Sequence, residues 1–390
     1  MIKDDFLSGI FYSVPNLRYY HSDKLSKVKL GNICSITGGY AFDSRKMKSK
    51  GEYQIIKMGN LYNGVLDLTR NPSFIDNPTK KELEYLIHKN DMLITLTGTV
   101  NKKDYGYTVQ LNNPNNLLLN QRCALIKPLN INEKYLFYLL NSNNFFKQFY
   151  ASSTGGTGNQ TNVSINDMLN FNMYIANEKN QIIISEFLNK IDQRIETQIK
   201  IIKDLKMQRD HLIHSVFSSM NSKLLLITDI AEVYQPQTIS SEKFDEGAEF
   251  PVFGANGIIG HYEKYNHENE QICIACRGSS VGTINISKKK SWITGNSMVI
   301  NSDNYDDMID KKFLYYQLMF IDFYKYISGS GQPQITRESL KNLKIKVPSL
   351  ATQHSISNFL NHIDLKITIE AELLCQYQLQ KSYLLKNMFI

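Results

Sequence analysis

Glu186-Phe-Leu-Asn-Lys-Ile-Asp192 recurs as Asn358-Phe-Leu-Asn-His-Ile-Asp364, 172 residues further along the chain. The same separation relates Asn162-Val-Ser-Ile165 to Gln334-Ile-Thr-Arg337 upstream, and Phe217 to Phe389 downstream. A constant separation over such a length is typical of a tandem duplication. The chain is therefore predicted to contain two halves that end in closely matching tails.

Upstream of the tails the similarity is weaker and the separation drifts. Three pairs of segments match in pattern: Gly31–Ile36 with Thr228–Val233, Leu93–Gly98 with Ile272–Gly278, and Leu119–Leu125 with Thr294–Ile300. Each half thus consists of a divergent body followed by a matching tail. We interpret the tails as structural and the bodies as selective.

The tails are predicted to be long helices that form a coiled coil. Apolar residues recur at alternating steps of three and four, which is the heptad pattern of a helix–helix seam. In the first tail they are Leu188, Ile191, Ile195, Ile202, Leu205, Leu212 and Val216; in the second, Leu360, Ile363, Ile367, Leu374, Tyr377, Leu384 and Met388. Polar residues interrupt the seam at Gln198, Arg209, Glu370 and Lys381. An amphipathic helix packed on its own body is the alternative.

A whole body separates the two tails, so the helices can pair antiparallel about a pseudo-twofold axis. Such pairing would set Leu188 against Met388, Ile191 against Leu384 and Ile202 against Leu374, with Arg209 near Glu370. From Leu188 to Val216 the helix would span ~42 Å, a little more than one turn of duplex DNA.

The predicted fold is α+β: two α/β bodies separated by an antiparallel coiled coil of two long helices. The expected segments are an N-terminal extension (1–26), body 1 (27–176), helix 1 (177–221), body 2 (222–349) and helix 2 (350–390).

Composition limits the function classes. The net charge of +7 is a mild excess that favours a polyanionic partner. Five scattered cysteines and the absence of a basic-then-apolar leader point to the cytoplasm. No apolar run reaches the ~18–20 residues that a membrane span needs.

Each body is predicted to mix short strands with one helix before its tail. The strands are placed at Tyr53–Lys57, Met92–Thr97, Gln271–Cys276 and Trp292–Ile300, and the helices at Asn132–Tyr150 and Lys311–Tyr326.

Polar and glycine-bearing turns in the bodies are candidate DNA contacts, because amide and basic side chains match base edges and phosphates. Solvated lysines and ordinary hairpin turns are the alternative. The basic candidates are Lys46, Lys48, Lys102, Lys103, Arg122, Arg277, Lys288 and Lys289. The other candidates, for base edges or as wedges, are Tyr40, Phe42, Asn120, Gln121, Asn256, Ser279, Asn296 and Gln332.

Catalytic motifs are weak. Asn71-Pro-Ser-Phe74 is similar to the loop that holds a flipped adenine in amino-methyltransferases, but no glycine-rich cofactor strand precedes it, which favours a turn. Cys273 and Cys276 have zinc-like spacing without a second pair, and His211 and His214 lack the glutamate of a metalloprotease helix. The sequence predicts no catalytic residues, no metal site and no cofactor on this chain.

The duplicated tails resemble the conserved helices of type I restriction–modification specificity subunits. Gly254–Gly260, Arg277–Gly282 and Ser328–Ile335 resemble segments of that family's target-recognition domains. The resemblance implies two domains that read a split, asymmetric target in double-stranded DNA, with helices that hold them apart. It also implies two methyltransferase subunits that use S-adenosylmethionine, and restriction subunits that use ATP and magnesium. Alternatives are a stand-alone sequence-specific DNA binder, a self-contained adenine methyltransferase and a coiled-coil adaptor that does not bind DNA.

Overall fold

The structure, a computed structural model, describes residues 25–62, 64–155, 160–278, 280–328 and 333–389. They form two compact units. Unit 1 takes in the described residues up to Thr197 and from Cys375 onwards, and unit 2 runs from Gln198 to Leu374. The long helices contribute to both units.

The body of unit 1 is built on a four-stranded antiparallel sheet of order β2-β11-β7-β9. Smaller sheets have the orders β1-β14, β10-β3-β6, β12-β13-β8 and β4-β5. The strands are β1 (Ser26–Lys29), β2 (Cys34–Gly38), β3 (Tyr53–Ile56), β4 (Leu61–Tyr62), β5 (Val65–Leu66), β6 (Phe74–Ile75), β7 (Met92–Thr95), β8 (Thr97–Thr99), β9 (Thr108–Gln110), β10 (Leu117–Leu119), β11 (Cys123–Pro128), β12 (Thr154–Gly155), β13 (Gln160–Asn162) and β14 (Asn172–Ile175). The helices are α1 (Lys80–Leu83), α2 (Glu133–Leu139), α3 (Asn143–Ala151) and α4 (Ile165–Leu169).

Unit 2 repeats this plan. Its four-stranded sheet has the order β16-β22-β19-β20, beside sheets of order β15-β23 and β18-β17-β21. The strands are β15 (Lys223–Leu226), β16 (Glu232–Tyr234), β17 (Phe250–Gly254), β18 (Gly257–Tyr262), β19 (Ile272–Ala275), β20 (Ile284–Ile286), β21 (Trp292–Ile293), β22 (Ser297–Asn301) and β23 (Lys344–Val347). The helices are α6 (Lys311–Phe320) and α7 (Arg337–Leu340), while α5 (Glu178–Ser219) and α8 (Leu350–Asn387) are the two long helices.

Strand pairing fixes which residues of the two bodies correspond. Leu93 pairs with Leu125 in unit 1, and Cys273 pairs with Val299 at the same place in unit 2. Leu125 therefore corresponds to Val299. The sequence alignment of Leu119–Leu125 with Thr294–Ile300 was wrong by one residue, which on a strand would turn every side chain to the opposite face.

Several element boundaries also differ from the sequence predictions. The helix expected over Asn132–Tyr150 is two helices. The first ends at Leu139, and the Ser142 hydroxyl caps the second by accepting a hydrogen bond from the Phe145 amide. The helix expected over Lys311–Tyr326 ends at Phe320, and a 3₁₀ turn capped by Asp322 follows.

Two expected strands are likewise interrupted. The strand expected over Trp292–Ile300 is β21 and β22, which belong to different sheets. The strand expected over Met92–Thr97 ends at Thr95, where a new strand begins at Thr97 and joins another sheet.

The heptad seam is confirmed inside each unit. In unit 1, Leu188 and Ile191 of α5 share one hydrophobic core with Leu384 and Met388 of α8. In unit 2, Ile213 and Phe217 of α5 share a core with Leu360 of α8. In unit 1 early residues of α5 lie with late residues of α8, and in unit 2 late residues of α5 lie with early residues of α8, so the helices are antiparallel.

The apolar residues of the heptad seam are buried or half-buried. Leu188, Ile191, Leu360, Ile367 and Leu384 are buried, and Ile195, Ile202, Leu205, Leu212, Ile363 and Leu374 are half-buried. The alternative of a helix packed only on its own body is wrong, because each unit's core takes residues from both helices.

Polar residues at the interruptions of the seam make the same cluster twice. In unit 1, Lys381 lies 2.6 Å from the carboxylate of Asp192, which also accepts a hydrogen bond from the Tyr138 hydroxyl at 2.8 Å. Each cluster therefore joins α5, α8 and a helix of one body.

In unit 2 the corresponding carboxylate is that of Asp364. It accepts hydrogen bonds from Arg209 at 2.9 Å and from the Tyr316 hydroxyl at 2.7 Å. The expected proximity of Arg209 to Glu370 is wrong, because Arg209 is held by Asp364 while Glu370 accepts hydrogen bonds from Gln198.

Candidate nucleic-acid interface

The edge where β7 ends gathers residues from three separate parts of unit 1. The amide of Leu96 donates to the Arg122 carbonyl at 3.0 Å, and the Leu96 carbonyl accepts from Val163 at 3.0 Å. Beyond it β8 pairs with β13, so Gln160 lies opposite Thr99. One residue thus connects the turn before β11 with the loop that precedes the tail.

Arg122 is exposed and its side chain is held by neighbours. Its Nη1 donates to Gln160 Oε1 at 3.0 Å and lies 3.8 Å from the thioether sulfur of Met58. Gln160 was not among the sequence candidates, although it lies in the uncharged loop that precedes the tail. Its partner Arg122 was a candidate, so the sequence predicted one member of this pair.

Three further candidates meet at the end of β10. Tyr40 forms a parallel bridge with Asn120, and the amide of Gln121 donates to the Tyr40 carbonyl at 3.0 Å. The approach of the chains is close, because a Cβ at Gly39 would lie 2.2 Å from the Asn120 carbonyl oxygen. Gly39 is therefore required for Tyr40, Asn120 and Gln121 to lie together.

Phe42 lies in a different environment from the one expected. Its side chain is 8% exposed and packs in a small core with Ile55, Ile75 and Leu118. Its ring makes an edge-on contact with Tyr40, at 5.1 Å between centroids. The structure thus gives Phe42 a packing role under the half-buried Tyr40, and its contact with DNA stays a prediction.

The lysine candidates of unit 1 are exposed, and two of them face carboxylates. Lys48 pairs with Asp76 at 2.8 Å, and Lys46 lies 3.9 Å from Glu82. Lys103 lies over the Tyr150 ring at 5.7 Å. Lys102 is exposed in the same turn as Lys103. Because Lys46 and Lys48 already face carboxylates, their attraction for a phosphate should be weaker than that of Lys102 or Lys103.

Unit 2 has the same edge with different side chains. The Cys276 amide donates to the Asn296 carbonyl at 3.0 Å, and the Cys276 carbonyl accepts from Ile335 at 3.0 Å. Cys276 therefore corresponds to Leu96, and Asn296 to Arg122. The arginine of unit 2 is instead Arg277, which is exposed and bridges to Gln334.

The remaining candidates of unit 2 lie at separate turns. Asn256 is exposed at the β17–β18 hairpin, whose Ala255 carbonyl accepts from the Asn285 side chain at 3.1 Å. Lys288 and Lys289 are exposed in the turn before β21. The two candidates Ser279 and Gln332 lie outside the described residues.

An exposed aromatic residue in unit 1 was missed by sequence reasoning. Tyr62, at the end of β4, is 43% exposed, and the guanidinium of Arg70 lies over its ring at 4.9 Å. An exposed aromatic ring paired with an arginine is suited to stacking on a base. The Tyr62-x-Gly64 turn was its only signal in the sequence.

Cys273 and Cys276 of unit 2 are buried. Burial raises the pKa of the Cys273 thiol to about 12, and it raises the pKa of Cys276 against the opposing charge of Arg277. The Cys276 thiol lies 3.5 Å from the Gly295 carbonyl oxygen, to which it donates. A protonated, buried thiol is a poor metal ligand and nucleophile.

The helices within the described residues are all too short or too polar to span a bilayer.

The fold and its two edges define a class of protein with two homologous recognition modules that carry unlike side chains on one scaffold. The family model for the type I restriction modification DNA specificity domain matches residues 23–207 and 222–376. The chain therefore belongs to the family of type I restriction–modification specificity subunits.

Individual relatives agree. The chain is 26% identical over 166 residues to the EcoprrI specificity subunit of Escherichia coli, a match that covers 42% of this chain and 41% of that protein. A putative specificity subunit of Haemophilus influenzae is 29% identical over 114 residues, which is 28% of this chain and 29% of the relative. The matches to these two relatives thus span less than half of each relative.

A longer match and a solved structure extend the similarity to nearly the whole chain. The putative MjaX specificity subunit of Methanocaldococcus jannaschii is 22% identical and covers 91% of this chain and 93% of its own. The crystal structure of the S subunit from M. genitalium has a TM-score of 0.58 at 19% identity and covers 95% of this chain and 97% of its own. The predicted fold of two recognition domains with a coiled coil is confirmed.

Proposed function

We propose that this chain selects the DNA target of a type I restriction–modification complex, by reading two unlike half-sites with its two bodies. The observation that carries the proposal is one scaffold built twice, with different side chains at corresponding exposed positions. Identical modules would read a palindrome, whereas unlike modules read an asymmetric, bipartite target.

The long helices support a role as spacer and docking surface. In unit 2, Met207, Phe359 and Ile369 expose more than half of their apolar side chains to solvent. In the proposed complex these side chains would lie on a surface that another subunit covers. We propose that two methyltransferase subunits bind there, with restriction subunits joining the complex.

On this proposal the chain is non-catalytic and carries no cofactor. S-adenosylmethionine would bind the methyltransferase subunits, and ATP and magnesium the restriction subunits. The raised pKa of the buried Cys273 and Cys276 thiols and the absence of a nucleophile–base pair among the motifs of the sequence support this division of labour. The proposed location is the cytoplasm, where the DNA is.

Mapping of methyladenine tests the function. DNA from the source strain should carry methyladenine at a two-part motif with an unspecified spacer, and deletion of this chain should remove the motif. An unchanged methylome would contradict the proposal. If the purified chain bound a single site tightly without partner subunits, a stand-alone DNA-binding protein would be the better description.

A salt series separates the proposal from an adaptor that does not bind DNA. Binding to duplex DNA should weaken by orders of magnitude between about 50 and 200 mM salt, because phosphate contacts release counterions. Salt-independent or absent binding by the assembled complex would favour the adaptor.

A further inference from the structure

The side chain of Arg122 is held by one end of its guanidinium. The guanidinium makes both of its contacts through Nη1, one to Gln160 Oε1 at 3.0 Å and one to the Met58 sulfur at 3.8 Å. A terminal guanidinium nitrogen has two protons, so these contacts occupy Nη1. Among the described residues, Nε and Nη2 have no hydrogen-bond partner.

Arg45, on the same unit, shows the opposite arrangement. Its Nε and Nη2 both donate to the Asp43 carboxylate, at 3.0 and 2.8 Å. The two-donor edge that Arg45 spends on a carboxylate is the edge that Arg122 presents outward. That edge matches a pair of acceptors such as the O6 and N7 atoms of guanine.

The backbone fixes the position of both members of the Arg122–Gln160 pair. Leu96 binds the Arg122 carbonyl through its amide and Val163 through its carbonyl, and Gln160 lies opposite Thr99 on the paired strand β13. A guanidinium held by the side chains of Gln160 and Met58 loses little conformational entropy when it binds, which favours its use in specific recognition.

We infer that Arg122 reads a guanine in the half-site of unit 1 through its Nε–Nη2 edge, and that Gln160 positions it. The inference rests on the proposed function and names one base contact within it. Gln160 is a positioning residue, since it acts through Arg122. A lysine could supply the charge of Arg122 but could not supply its planar pair of donors.

The corresponding position of unit 2 supports the inference. There Asn296 takes the place of Arg122, with its carbonyl bound by the Cys276 amide, and its side chain is exposed. An asparagine amide pairs with the N6 and N7 atoms of adenine as arginine pairs with guanine. One scaffold position thus carries an arginine in one body and an asparagine in the other, which are side chains suited to guanine and to adenine.

The test uses the complex of the full chain with its methyltransferase subunits, acting on a randomised duplex DNA library that is sequenced after methylation. Arg122→Met, which removes every donor, should make one guanine position of one half-site degenerate, with a loss of discrimination of about 5- to 150-fold, and leave the rest of the motif intact. Arg45→Met is the matched control and should leave the motif unchanged.

Two results would overturn the inference. If Arg122→Met lowers methylation equally on every sequence, the arginine binds phosphate. If the motif is unchanged, the arginine does not contact DNA. Failure of the proposed function itself looks different, because the wild-type complex would then yield no bipartite motif.

Base analogues and the Gln160 variants complete the test. Replacing the guanine by 7-deazaguanine removes one acceptor and should weaken the wild-type complex but not the Arg122→Met complex. Gln160→Leu should reproduce part of the degeneracy, and Gln160→Glu should restore discrimination because it keeps an acceptor oxygen. A Gln160→Leu variant with an unchanged motif would remove the positioning role.

Discussion

The two units share their helix clusters almost atom for atom but differ at their exposed edges. Asp192 and Asp364, which the duplication relates, each accept a tyrosine hydroxyl and a cation. At the edges, by contrast, Arg122 corresponds to Asn296. Buried contacts that join three helices tolerate few substitutions, whereas an exposed side chain can change without cost to the fold. On the proposed function, this difference would allow two copies of one module to read different sequences.

The largest expected effect concerns the two duplicated leucines. Leu188→Ala and Leu360→Ala each remove a fully buried side chain and should lower the free energy of unfolding by about 2–5 kcal/mol. The first should destabilise unit 1 and the second unit 2. Trp292, the single tryptophan of the chain, lies in unit 2, so its fluorescence during urea unfolding follows that unit.

Hydrogen exchange of the unit 1 strands provides the matching measurement. If both variants shift the Trp292 transition equally, the two units unfold together. Their stabilities would then not be independent.

A smaller effect is expected from the carboxylates. Asp192→Asn and Asp364→Asn should each cost about 1–2 kcal/mol, because a half-buried cation loses its partner and a tyrosine hydroxyl loses its charged acceptor. Unfolding of each unit, measured as above, checks this. Combining Asp364→Asn with Arg209→Met should recover part of the loss, and no recovery would mean that Arg209 and Asp364 are not coupled.

The exchange of Arg209 for lysine sharpens the comparison. Unit 1 uses Lys381 at the corresponding position, so Arg209→Lys should cost only about 0.5–1 kcal/mol. Part of that cost is the loss of the second contact of Arg209, to Asp210 at 2.8 Å. A cost as large as that of Asp364→Asn would show that the two clusters differ in energy despite their similar geometry.

The smallest expected effect is a loss of stability at low pH, which should be larger in unit 2 than in unit 1. Burial lowers the pKa of His267, which is hydrogen-bonded to Tyr234 and Asn266. In the folded state His267 therefore binds a proton less readily than in the unfolded state. The stability that neutral His267 contributes is present above its ordinary pKa of 6.5 and is lost as the pH falls.

Urea unfolding followed by Trp292 fluorescence at pH 7.5 and 5.5 measures this loss. His267→Gln should reduce the difference. His88, the histidine of unit 1 within the described residues, is exposed, so unit 1 should change less. Equal losses in both units would assign the pH dependence to groups other than His267.

The sequence determined the duplication, the helices and their pairing, because a heptad pattern and a constant separation are properties of residue spacing alone. It also placed the strands near β3, β7, β19 and β22. Their ends were less predictable, since a strand that stops at Thr95 and restarts at Thr97 in another sheet has an unbroken apolar pattern.

Only the tertiary structure decided how the bodies correspond. The one-residue error in aligning Leu119–Leu125 could not be found in the sequence, since neighbouring apolar residues fit either register. Hydrogen bonds from Leu96 and Cys276 removed that ambiguity and set Arg122 against Asn296. The pairing of Arg122 with Gln160 likewise depends on strands far apart in the chain, because only folding brings such strands together.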